Sequence, residues 1–309
     1  TNLSWRVSQK KNDKAMLCVK KALVQNQATL KQWQRLVGRI NDVSQMCPFM
    51  KIFKQPLNDC LAGIDSNADG STIIEISKEA KDVLYIWTGF LCSEFKWLPI
   101  ARDNMVPPIW KREYVSDAAG LAGEADSQTG PGCGNVGFFE DGTISFANQF
   151  VWPTSFITEA VDEKGVRYGD KTTTLEMIGL IMPLILVPEQ FMHRHVVMKV
   201  DCFGTVFGME NRACKGDKSA SVFIRAAYLI AAYLHCSLHV QQLPRMSDWA
   251  AEVTDRLSRS ATTTIQDRKL LSAFGERRIP KCLQLWFKSP RVDWDLAIQL
   301  LNHVKNLVS

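Results

Sequence analysis

Four acidic residues stand where the chain changes from one kind of element to another. Asp117 closes the β-prone run "REYVSD" just before the small residues "AAG". Glu176 lies early in the apolar run "TTTLEMIGLIMPLIL", Asp201 ends the apolar run "HVVMKVD", and Asp255 lies in "DWAAEVTDRLSR". Four carboxylates brought to one point repel one another. Two unit charges ~4 Å apart cost about 4 kcal/mol at an effective dielectric of 20, so the cluster takes up protons or binds cations. Oxygen ligands of high charge suit Mg²⁺ or Mn²⁺ rather than zinc. Two such ions clamp a phosphodiester, one activating water and the other stabilising the leaving oxygen. Singly, each residue has an ordinary reading as a turn former, a helix-start carboxylate or a solvated helix position. Their order and their places at element ends carry the weight, Asp201 most of all, because an apolar strand ending in a charge is costly to bury without a partner.

For these residues to meet, the chain must fold as a mixed sheet whose first and fourth strands are neighbours. Three β-prone runs, "REYVSD", "GNVGFFEDG" and "TISFANQFVW", come first, the last two joined at a hairpin turn over Asp141 and Gly142. The helix "TTTLEMIGLIMPLIL", the strand "HVVMKVDC", the helix "KSASVFIRAAYLIAAYLHC", the strand "SLHVQQL" and the helix "DWAAEVTDRLSR" follow. The order β-β-β-α-β-α-β-α predicts an α/β fold with helices packed on one mixed five-stranded sheet. Along its last helix, Asp248, Glu252 and Asp255 share roughly one face, and Ser247 or Asp248 serves as the N-cap.

The first third reads as helical. Leu30, Trp33, Leu36, Val37 and Ile40 recur three and four apart behind a capping Thr29, and a further helix is expected after Ser77. Pro107 and Pro108 break the pattern. The expected division is a helical region over 1–112, the sheet domain over 113–260, and a tail over 261–309. That tail reads as a polar linker, then "IPKCLQLWF", then a helix after Trp294.

Composition bounds the rest. A chain of 309 residues, 46% hydrophobic and 22% charged, has the balance of ordinary globular domains and is long enough for two or three cores. Nine cysteines, an odd number with no C-x-x-C pair, argue for a reducing, intracellular compartment, cytoplasm or nucleus. The chain begins at Thr1 without a secretory leader, which predicts a fragment of a longer protein, and its longest apolar run carries Glu176 and Pro183, which predicts a buried helix rather than a membrane span. Residues 1–60 hold eleven Lys or Arg against three Asp, a net +8 in a chain of net +5. A front this basic is the footprint of a partner that carries phosphates, with Lys31, Arg35 and Arg39 on one helix as candidate contacts. His193, His195, His235 and His239 lack metal-ligand spacing and read as structural.

In order, "YVSDAAG", "TTTLEMIGL", "VDCFGTVFG" and "LHVQQLPRMSDWAAEVTDRLSR" resemble the four sequence blocks of the ribonuclease H domain of retroelement reverse transcriptases. The ending "TDRLSR" is similar to the A-D-x-L-S-R ending of that domain in many retrotransposons. "LSWRVSQKK" and "TLKQWQRLVGRINDVSQMCPFMKIFKQPL" resemble the thumb and connecting region behind the polymerase palm, particularly in tyrosine-recombinase (DIRS-like) elements, and "IPKCLQLWFKSPRVDWDLAIQLL" is similar to the segment after the nuclease there. The resemblance implies an RNase H-like fold and Mg²⁺-dependent cleavage of the RNA strand of RNA·DNA hybrids, with Asp117, Glu176, Asp201 and Asp255 as ligands of two Mg²⁺, for which Mn²⁺ substitutes. It also implies an upstream polymerase palm and fingers as partner, and it favours Asp255 over Asp248. Arg256 and Arg245 are expected to face phosphate. The final block carries extra residues, Pro244 and Arg245 stand where some relatives have a histidine, and the chain has no Y-x-D-D motif. A second reading is a non-catalytic nucleic-acid-binding or assembly module. A third, a transposase or integrase, fits less well, because its carboxylate order ends in a helix glutamate.

Overall fold

The computed structural model of the chain describes residues 4–5, 8–45, 48–65, 67–92, 98–99, 111–121, 130–214, 216–243, 249–275, 277–292 and 294–309. Its contacts divide into two compact units, Thr1–Met105 and Val106–Ser309. The break expected at Pro107 and Pro108 lies outside the described residues.

In the first unit the three-and-four spacing folds as expected. Its elements are β1 (Ser4–Trp5), α1 (Gln9–Leu23), β2 (Gln27–Thr29), α2 (Leu30–Gln45), α3 (Gln55–Asp59), β3 (Ile73–Glu75), α4 (Lys78–Cys92) and β4 (Leu98–Pro99). β1 pairs with β4 and β2 with β3, both antiparallel. Thr29 Oγ1 accepts from the Gln32 amide at 3.3 Å and Gln32 Oε1 accepts from the Thr29 amide at 3.1 Å, a reciprocal box that starts α2. Trp33 and Trp87 fill the core, and their indoles donate to the Leu57 and Phe53 carbonyls at 2.8 and 3.3 Å. Each buried ring thus satisfies its one polar atom.

The second unit contains β5 (Lys111–Ala118), β6 (Gly132–Phe138), β7 (Ile144–Val151), α5 (Thr154–Thr158), α6 (Thr172–Leu186), β8 (His195–Val200), α7 (Phe203–Asn211), α8 (Lys218–Tyr233), β9 (Ser237–Gln242), α9 (Trp249–Ser258), α10 (Ile265–Phe274), α11 (Lys281–Lys288) and α12 (Trp294–Val308). The sheet order is β7-β6-β5-β8-β9. β5, β6 and β7 are antiparallel neighbours, and β8 runs parallel to both β5 and β9. The order and directions are those expected of a mixed five-stranded sheet whose first and fourth strands lie side by side. The hairpin turn falls at the expected place, with Gly142 at φ 81° and the Thr143 amide donating to Asp141 Oδ1 at 2.9 Å. α6 and α8 pack on one face of the sheet and α9 on the other.

Two local readings need correction. α7 was not expected, and the stretch after 261 is not a linker, because α10 forms there behind a capping box between Thr264 and Asp267. No helix of the described residues is long and apolar enough to cross a membrane.

α6 is apolar almost all round and buried from Thr174 to Leu186, yet Pro183 interrupts its ladder. A proline has no N–H, so the carbonyl four residues back, Gly179, loses its helical donor. Asn135 of β6 supplies the replacement. Its Nδ2 donates at 2.9 Å to the Gly179 carbonyl and at 2.9 Å to Ser116 Oγ on β5. The gap in the helix is therefore closed by the sheet, which fixes where α6 lies along β5 and β6. On the other face Gly134 lets α9 close in, since a Cβ there would stand 2.5 Å from Leu257 Cβ and 2.6 Å from the Thr254 carbonyl.

Asn135→Ala is expected to lower unfolding free energy by about 1–3 kcal/mol, the range for orphaning a buried carbonyl. In a Pro183→Ala background, where residue 183 regains its N–H, the same change should cost clearly less. Chemical denaturation of the four proteins measures this coupling, and strictly additive losses would show that the Gly179 carbonyl does not depend on Asn135.

Candidate metal centre

With Val115 opposite Lys199 in the parallel pair, two steps further along each strand are Asp117 and Asp201, which leave the sheet at the same edge. Glu176 sits one helical turn before Gly179, where Asn135 pins α6. Carboxylate oxygens of Asp117, Glu176 and Asp201 consequently all lie within 4.8 Å of one another. The small residues after Asp117 also have a cause. The chain there is squeezed against the segment leading into α6, so that a Cβ on Gly120 would stand 2.3 Å from the Gly169 carbonyl and 2.8 Å from Leu175 Cδ1. The Leu121 amide donates to the same Gly169 carbonyl at 2.8 Å, and Trp152 Nε1 donates to the Ala119 carbonyl at 2.8 Å.

Burial makes the cluster electrostatically costly. Glu176 is 2% exposed, and its only hydrogen bond among the described residues is a long one, 3.4 Å from the Ala118 amide to Oε1. Glu176 Oε2 and Asp117 Oδ2 are buried without a hydrogen-bond partner among the described residues. Desolvation, reinforced by Asp117 and Asp201, pushes the Glu176 carboxyl well above the usual carboxylate range. Desolvation likewise raises Asp117 to about 6; the charges of Asp201 and Asp255 add to the rise, while a Ser258 hydrogen bond and Arg259 oppose it. Two orphaned, buried anionic oxygens beside a third carboxylate fit a hard divalent cation, which would be held by Asp117, Glu176 and Asp201.

Asp255 lies apart from that group. It lines the same open cleft, of about 930 Å³, but its carboxylate is 60% exposed and is taken by Arg259, one turn further along α9. The acid-then-base spacing of four residues was the sequence signal for this pair. Glu252 lines the cleft too, whereas Asp248 and Arg245 lie outside the described residues. Arg256, expected to face phosphate, instead grips Asp267 through two bonds of 2.9 Å, Nε to Oδ2 and Nη2 to Oδ1. The Arg256 hydrogen bond holds Asp267 down at about 2. In the first unit Lys31 and Arg35 are exposed on α2, while Arg39 donates to the Lys14 carbonyl at 2.9 Å and to Cys18 Sγ at 2.7 Å, fastening α2 to α1.

Sequence reasoning missed Ser258, which hydrogen-bonds Asp117 from the end of α9, and Arg259, whose charge acts on Asp117 from the residue after that helix. It also missed Lys171, which sets the start of α6 by bridging Asp162 at 2.8 Å and Asp217 at 2.9 Å. The histidines are placed structurally. His193 and His235 stack with ring centroids 5.3 Å apart, and His195 Nδ1 lies 2.7 Å from Ser237 Oγ.

No protein-family model and no curated protein matches this chain. Among solved structures, the N-terminal RNase H domain of a Mycobacterium tuberculosis protein, determined as a fusion with maltose-binding protein, is similar to it at 15% identity, covering 47% of this chain and 95% of the other, with a TM-score of 0.35. That is a loose likeness.

A carboxyl raised on folding binds its proton more tightly in the native state, so its contribution to stability is full below the unfolded value near 3.8 and is lost as pH rises through about 6. In metal-free buffer Asp117→Asn is expected to be more stable than the parent above pH 6, by about 3 kcal/mol, with the difference vanishing below pH 4. Melting temperatures of the two proteins across pH 3 to 8 measure this. A pH-independent difference would remove Asp117 from the repulsive cluster.

Proposed function

We propose that the second unit is a divalent-cation-dependent nuclease that cuts the RNA strand of RNA·DNA hybrids, working as the ribonuclease H part of a retroelement reverse transcriptase. One observation carries this reading: the carboxylate oxygens of Asp117, Glu176 and Asp201 within 4.8 Å of one another at the end of two parallel strands, two of the carboxylates with buried, unpartnered oxygens. Bound there, Mg²⁺ ions would supply an activated water and charge stabilisation at the leaving oxygen. The chain's own residues hold the three carboxylates together against their repulsion, keep water from the buried oxygens of Asp117 and Glu176, and open the remaining side of the site to the cleft of about 930 Å³. Resemblance of the four sequence blocks supports the choice of hybrid as substrate, and the 2′-hydroxyl supplies the distinction between the two strands.

The pairing of Asp255 with Arg259 favours a second reading, a non-catalytic nucleic-acid-binding module. One experiment separates the two. With Mg²⁺ or Mn²⁺, labelled RNA·DNA hybrid should be cut in the RNA strand only, EDTA should stop the reaction, and Asp201→Asn should lower turnover by orders of magnitude while abolishing the rise in melting temperature that Mg²⁺ gives the parent. Binding without cleavage at any metal concentration would select the second reading, and cutting of the DNA strand would sink the hybrid assignment.

A further inference from the structure

Away from the acidic cleft, a second cavity of about 520 Å³ opens at the outer edge of the sheet, between the end of β7, the start of α5 and α11. Arg277, Arg278 and Lys288 line it together with Gln284, and Phe150 and Phe287, stacked with centroids 5.6 Å apart, form its apolar wall. No carboxylate of the described residues lines it. Basic side chains elsewhere in the unit divide between those paired with an acid and those, such as Arg212, Arg268 and Lys269, with no acid partner among the described residues. Arg112, Arg167, Lys171, Lys199, Lys218, Arg256 and Arg259 each meet an Asp or Glu. Arg277, Arg278 and Lys288 are exposed and meet no acid among the described residues, and Arg277 Nη1 donates at 3.4 Å to the Leu186 carbonyl, which leaves its other donors to the cavity. A cavity lined by charges of one sign focuses a positive potential that favours an anion.

Strand register fixes where this cavity lies relative to the carboxylates. Asp117 pairs with Gly134 and Gly134 with Gln149, so the three form one row across β5, β6 and β7. β7 runs parallel to β5, and Val151, a lining residue, is two positions past Gln149 at the same end of the sheet as Asp117. Two strand spacings and two residue rises put the Val151 backbone about 12 Å from that of Asp117. At a rise of roughly 3.4 Å per nucleotide of one strand, this is a span of three to four nucleotides.

We propose that the cavity formed by Arg277, Arg278 and Lys288 is a second nucleic-acid site, which grips the phosphodiester backbone of a strand whose neighbouring segment lies over the carboxylates. The planar forks of two arginines match phosphate oxygens, and a lysine adds a third positive charge. The proposal rests on the nuclease reading only in taking nucleic acid as the anion. An acidic peptide is the competing occupant.

The test uses the full chain and a fluorescent RNA·DNA hybrid in EDTA, where no cleavage intervenes, with affinity measured by anisotropy from low to moderate salt. The triple variant Arg277→Gln, Arg278→Gln, Lys288→Gln should bind at least tenfold more weakly at low salt, and its log K against log salt should be flatter by about two units, roughly 0.7 to 0.9 per lost phosphate contact. Arg277→Lys with Arg278→Lys, which keeps the charge, should retain the parent slope and shows whether the segment tolerates substitution. Should the triple variant not fold, Arg278→Gln alone should flatten the slope by about one contact. A variant that folds and binds with the parent's slope overturns the proposal, as does a parent that binds no nucleic acid. The nuclease reading is judged separately by Mg²⁺-dependent cleavage in the parent. Flattened binding without any cleavage keeps this site and discards the nuclease, whereas cleavage with an unchanged slope does the reverse.

Discussion

Carboxylates that repel one another do not assemble themselves, so something else must hold them in place. In this chain that constraint is met at the contact between α6 and the sheet, through the one helical hydrogen bond that Pro183 removes. The Gly179 carbonyl, stripped of its helical donor, is bound by Asn135, and Asn135 is anchored in turn on Ser116, the residue before Asp117. One buried amide thus ties the helix of Glu176 to the strand of Asp117 at a single register. The glycine at 134, beneath α9, makes the matching approach possible on the opposite face. Packing sets the geometry, and electrostatic strain is the result.

That strain decides which occupant would fit the site. A buried carboxylate group with orphaned oxygens gains little from monovalent, weakly bound ions or from long side chains that must be ordered to reach it. A small, doubly charged cation neutralises more repulsion in less space. Arg259 shows the intermediate case. It satisfies the most exposed of the four acids, Asp255, and acts on Asp117 only from a distance, leaving the buried pair uncompensated.

Much of this was legible in the sequence because it depends on short-range patterns. The strand that stops at Asp117, the strand that ends in Asp201 and the apolar run carrying Glu176 each announce themselves by composition, and the strand order follows from connection rules. Thr29 and the Asp141–Gly142 turn were readable for the same reason. What escaped depends on tertiary partners. In α10 only Asp267 is fully buried, and the apolar contact with the core is confined to the half-buried Leu270 and Leu271, so the stretch looks like a linker, and the Thr264–Asp267 capping box was the one local sign of a helix. Arg256 has the charge and position of a phosphate contact, but its partner lies 11 residues away on another helix. Arg277 and Lys288 meet around one cavity only because α11 turns back on β7. Neither pairing nor convergence of that kind leaves a periodic trace.

Asp267 serves two masters at once. The same carboxylate that caps α10 also receives both donors of Arg256, on the helix that carries Ser258 and Asp255. Fraying of α10 therefore strips α9 of its clamp, and loosening of α9 leaves a buried anion at the start of α10. The two helices are expected to open as one unit with a shared free energy, so that amide exchange beside the acidic cluster follows the stability of a segment that touches none of its carboxylates.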